Sequence, residues 1–195
     1  MARARRTLAR PSYWEEISMS RLARFAAPAV ILAGSLALVA PAAHAAVPHT
    51  LAAKCSQSYL PLPDPACTPG ATNPDVTQDT IGDTICVPGW TSTIRPPTTY
   101  TTPLKKQGII DYGYSDTSLS SYEEDHFLPL ELGGAPKDPK NLWPEPHDGD
   151  QNSYTKDSVE NAVKKAVCAG QVTLADAQHA MLTNWTTAES VLGIG

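Results

Sequence analysis

Residues 122–143 read Y-E-E-D-H-F-L-P-L-E-L-G-G-A-P-K-D-P-K-N-L-W. The apolar run Phe127-Leu128-Pro129-Leu130 follows an acid–histidine pair, Asp125-His126, and Gly133-Gly134 supplies a turn. The pattern predicts a strand over 124–130, a return through the two glycines, and a second strand opening at Asn141-Leu142-Trp143 that Pro144 and Pro146 end. A polar loop, Glu145 to Asn152, leads to a helix over 153–168. Val159, Val163, Ala166 and Val167 share one face of that helix, and Gly170 stands just past its end. Strand, turn, strand and helix over 122–168 form a ββα unit.

Outward from this unit the signals are weaker. A last helix is expected over 173–185, capped by Thr173 with Asp176 at the third position and striped by Leu174, Ala177, Met181 and Trp185. Thr102-Pro103 predicts a helix start running to Tyr112. Residues 90–100 read as extended, and 73–86 as one short helix capped by Thr77. Residues 46–75 carry Pro61, Pro63, Pro65 and Pro69 and read as an extended arm. The expected fold class is α+β: a small ββα hairpin–helix unit with added short helices in a domain spanning 76–195.

Arg21 and Arg24 precede an apolar run over 25–40, and Ala43-His44-Ala45 offers small residues for cleavage. This is the pattern of a secretory signal peptide over 1–45, and the run is short for a membrane span. The mature chain is expected to be extracellular, with no stable membrane association. Six arginines against two glutamates precede the cut, so the net charge of −5 for the whole chain becomes −9 for the remainder. An acidic domain argues against tight non-specific nucleic-acid binding, which rests on a basic footprint. The four cysteines follow the cut, and an even count in a secreted chain reads as disulfides. Of three pairings, Cys55–Cys67 with Cys86–Cys168 is preferred: one closes a local Pro-rich loop, the other ties the approach to the hairpin to the helix after it. Loop entropy assigns them about 3 and about 4.5 kcal/mol as upper figures.

With D-H at the first strand and N-L at the second, the unit resembles the HNH (ββα-metal) endonuclease family. Through the G-G turn and N-L-W-P it is similar to secreted bacterial HNH-like proteins carrying D-H-x-x-P-L-x-L-G-G. The resemblance is specific over 122–160. It implies phosphodiester hydrolysis of DNA or RNA, with His126 as general base, Asp125 as a ligand for Mg²⁺ or alternatively Mn²⁺, and Asn141 orienting the histidine or completing the metal shell. A histidine suits the base because its pKa lies near neutrality, and a divalent cation would absorb charge on the phosphate. Neighbouring strand residues point to opposite faces, so Asp125 and His126 meeting at one point requires a bend or bulge.

The chain departs from the family after Asn141. The helix carries no histidine, and His147 comes too early. Asp150, Asp157 and Glu160 are the candidate replacements, and Asp157 is the preferred stand-in. Lys156 and Lys140 are candidate substrate contacts. No protein partner is predicted. The alternative is a non-catalytic interaction domain that keeps the fold. Lys105, Lys106, Lys137, Lys140 and Lys156 converging on His126 would favour the nuclease; scattered lysines, with Asp125 held in an ion pair, would favour the alternative.

Overall fold

Strand β1, Tyr122–His126, pairs antiparallel with β2, Leu142–Pro146, in the computed structural model, which describes residues 54–195. The register runs unbroken from Tyr122 opposite Pro146 to His126 opposite Leu142, so the anticipated bulge at Asp125-His126 is not formed. The first strand begins earlier than expected and stops at His126. Beyond it the Leu128 amide turns to the Asn141 side chain, and Leu130–Leu132 winds into a 3₁₀ turn. Pro144 lies inside β2 rather than ending it. A two-stranded sheet has free edges, and a proline facing one forfeits no ladder bond.

Gly134 permits the return of the chain. A Cβ there would lie 1.8 Å from the Leu128 carbonyl oxygen, a backbone atom with no room to move. The neighbouring Gly133 holds φ at +77°, which favours glycine.

Helix α3, Ser153–Cys168, follows the hairpin as expected. The Asn152 side chain accepts the Thr155 amide at its start, and Gly170 adopts a left-handed conformation past its end. Helix α4, Leu174–Asn184, starts from the Thr173 cap, and α5, Ala188–Leu192, closes the chain. The core gathers Leu128 and Leu132 from the loop, Trp143 from β2, Val163 and Val167 from α3, and Met181 and Trp185 from the last helical segments. Each such side chain contributes on the order of 1.5–3 kcal/mol by leaving water.

Upstream the differences are larger. Trp90–Ile94 forms a helical turn, α1, where extended chain was expected; it follows Gly89 at φ +80°, with Trp90 packed on the core. Helix α2, Thr98–Asp111, starts five residues before Pro103. Its first turn is held by tertiary contact, because the Tyr100 hydroxyl donates to the Lys137 carbonyl. The helix expected over 73–86 is replaced by turns and a 3₁₀ segment, Ile81–Asp83. The Thr80 hydroxyl accepts the Thr77 amide and donates to the Asp75 carbonyl, competing with helical bonding.

Both disulfides pair as preferred, Cys55–Cys67 and Cys86–Cys168. The Pro-rich stretch is irregular, and from residue 54 it is tied to the rest of the domain. Cys55 N–H donates to Asp111, Trp185 Nε1–H donates to the Pro61 carbonyl, and Thr72 bridges Gly134. The expected leader and the residues up to 53 lie outside the described chain. Among the described residues no helix is long and apolar enough to cross a membrane.

Candidate active site

His126, the last paired residue of β1, is 2% exposed. Its Nε2 lies 3.1 Å from the Pro136 carbonyl oxygen. A carbonyl can only accept, so Nε2 carries the proton and the neutral ring leaves Nδ1 with a free lone pair. Burial pushes the imidazole pKa below its ordinary value, so the ring is neutral at pH 7. Asp125 stands one residue back on the strand, and both residues line one cavity of about 280 Å³. Arg95, Glu123, Glu131, Asp157 and Glu160 complete its charged wall.

Asp125 is not free. Its Oδ2 accepts a bond of 2.5 Å from Lys156 Nζ, which also donates to Glu160 Oε1 and, at 3.0 Å, to the His126 carbonyl oxygen. Glu145 Oε2 stands 3.9 Å from the same ammonium. Lys156 is 1% exposed, so this is an interior cation among three carboxyl groups. The groups cannot all be ionised cheaply. Burial raises the Glu145 pKa well above its ordinary value and the Glu160 pKa to about 8. Burial also opposes ionisation of Asp125, but Lys156 outweighs it and Asp125 stays a carboxylate. Lys156, although desolvated, is held in its charged form by Asp125, Glu160 and Glu145.

Asn141 is fully buried and its amide is committed to backbone groups. It accepts from Leu128 N–H and, at 3.4 Å, from Ala71 N–H; it donates to the carbonyls of Leu128 and Ala135. It does not line the cavity and shapes the loop that places Pro136 over His126. In place of the ligand or histidine partner expected of it, Asn141 is a structural clamp. Asp157 does line the cavity, on the same face of α3 as Glu160. Asp150 is exposed and does not.

The lysines do not converge. Lys105 Nζ donates to the carbonyls of Leu119 and Tyr122, while Lys106, Lys137 and Lys140 are exposed and absent from the cavity wall. Lys156, expected to contact phosphate, is instead sealed in the interior. The expected Mg²⁺ shell of Asp125, Asn141 and Asp157 does not fit this arrangement. The first lines the cavity but is taken by Lys156, the second is saturated and off the cavity wall, and only the third lines the cavity without an ion-pair partner among the described residues. Among the described residues no group of three or more His, Cys, Asp or Glu side chains is arranged to hold a metal ion.

Two residues of consequence were not singled out from the sequence. Arg95 ends α1, in a stretch that reads as extended chain. Its charge reaches His126, Glu123, Glu131 and Asp157, and it has no ion-pair partner among the described residues. Glu145 was placed in a polar loop but belongs to β2, opposite Glu123, with both carboxyl oxygens buried and lacking a donor. A second cavity, about 260 Å³ and mostly apolar, lies between α2 and β2; it holds Glu124 and Asp111 but no histidine.

Comparison with protein-family models, curated proteins and solved structures finds no match. The functional reading therefore rests on the residues themselves.

Proposed function

We propose that the chain is a secreted hydrolase of phosphodiester bonds in DNA or RNA, built on an HNH-like ββα unit with His126 as its general base. The observation that supports this best is the placement of a neutral imidazole. Nε2–H is anchored on the Pro136 carbonyl, Nδ1 keeps its lone pair, and His126 lines a polar cavity together with Arg95, a guanidinium with no ion-pair partner among the described residues. In this reading Nδ1 takes a proton from water, the water oxygen bonds to phosphorus, and the leaving oxygen departs with the electron pair of its P–O bond and takes a proton from solvent. Arg95 faces the charge that develops on the phosphate. Positioned proton transfer of this kind supplies about 10²–10⁴-fold in rate. The secretory pattern over 1–45 and the two disulfides are compatible with action outside the cell.

A second reading, an interaction domain without catalysis, is favoured by both signs expected of it: the lysines do not converge on His126, and Asp125 is held by Lys156. Apart from Arg95, the charged residues lining the cavity carry carboxyl groups, which repel a polyanion.

The test is incubation of oxidised protein beginning at Ala46 with plasmid DNA and with RNA, beside His126→Ala. Cleavage by the wild type that is lost in the variant supports the hydrolase. No cleavage of either polymer by folded protein supports the interaction domain.

A further inference from the structure

Lys156 enters the hairpin–helix centre from α3 and ends among oxygen atoms alone: Asp125 Oδ2, Glu160 Oε1, the His126 carbonyl oxygen at 3.0 Å and Glu145 Oε2 at 3.9 Å. Carboxylates and a carbonyl are the donor types of a hard divalent cation, although with Lys156 among them the carboxyl groups are not arranged to hold one. Glu145 adds an independent sign. It is 1% exposed, directed at the ammonium, and no hydrogen-bond donor reaches either of its oxygens. The cage thus holds more negative capacity than one ammonium fills. Lysine is also an uncommon occupant of a dry interior, because its charge tolerates desolvation only when closely paired.

We infer that the Lys156 ammonium is the resident cation of the Asp125–Glu145–Glu160 cage, standing where a divalent ion would otherwise bind, so that this centre assembles without metal. The inference goes beyond the hydrolase reading and holds equally for an interaction domain. It assigns Lys156 a positioning role. Through Asp125 and the His126 carbonyl, it fixes the end of β1 from which the imidazole projects.

The probe is Mn²⁺, followed by calorimetric titration and by the thermal midpoint of the oxidised full mature chain. Wild-type protein is expected to keep the same midpoint in chelator and in Mn²⁺. Lys156→Ala vacates the cage, and is expected to bind one Mn²⁺ at least about tenfold more tightly than wild type and to gain stability from it. Adding Asp125→Asn to that variant should remove the gain. Mn²⁺ bound by wild-type protein and lost on Asp125→Asn alone would overturn the inference. So would a Lys156→Ala chain that remains metal-free, or unfolded, in Mn²⁺. None of these readouts depends on cleavage, so failure here is separable from failure of the hydrolase reading.

Discussion

Lys156 of α3 and Asp125 of β1 meet at 2.5 Å in the interior, and this pair joins the helix to the strand that carries His126. Removing one partner of a buried pair leaves the other charge uncompensated, which costs about 3–5 kcal/mol. Asp125→Ala is therefore expected to lower unfolding free energy by that amount in urea titration. A loss under about 1 kcal/mol, the scale of an exposed pair, would contradict the burial and pairing described.

Asn141 satisfies both the amide and the carbonyl of Leu128. Asn141→Ala would leave those two groups without their partner in the interior, at about 1–3 kcal/mol each. The expected result is a lower urea midpoint, with faster hydrogen exchange confined to residues 127–136. An unchanged midpoint would return Asn141 to the ligand role that the sequence suggested.

Gly134 offers a steric test. The added methyl of Gly134→Ala meets the Leu128 carbonyl oxygen, and neither is the flexible end of a side chain. The loop must open, so a destabilisation above about 2 kcal/mol is expected. A chain as stable as wild type would show that the turn is built differently.

Stability should fall as pH rises from 7 to 9. Burial raises the pKa values of Glu124 and Glu160 to about 8 and lifts Glu145 well above its ordinary value. The folded state therefore binds these protons more tightly than the unfolded chain. Their stabilising effect is complete below about pH 4.5 and lost as pH climbs through about 8. His126, shifted downward by burial, acts in the opposite sense below about pH 6.5, outside this window. Thermal midpoints at pH 7 and 9 check the sign, and Glu160→Gln should shrink the difference. A midpoint higher at pH 9 would contradict the account.

The hairpin, α3 with its cap, α4 and both disulfides were legible because local signals coincide there: an apolar run beside a glycine pair, helical spacing with caps, and an even cysteine count. Secondary structure from 73 to 102 was not. There Thr77 and Thr80 satisfy backbone groups through their hydroxyls, and the first turn of α2 is held by Tyr100 reaching Lys137, a contact 37 residues away. At the site, His126 and Asp125 were readable as chemistry, but what surrounds them was not. Lys156 looked like a phosphate contact because a lone lysine on a helix is ordinarily solvated. Only the packing of α3 behind β1 turns it inward to Asp125. Glu145 had one usable signal, its two-residue spacing from Trp143, which puts both on the sheet face shared by their partners Glu123 and Asp125.

Whether His126 is the base is decided by rates of phosphodiester cleavage in DNA and RNA from pH 5 to 8, measured side by side for wild type and His126→Ala. Wild-type cleavage is expected to rise through an apparent pKa below about 6.5 and then level, with the variant slower by at least about a hundredfold and without that rise. Equal rates in the two proteins, or no cleavage by folded wild type at any of these pH values, would contradict that role for His126.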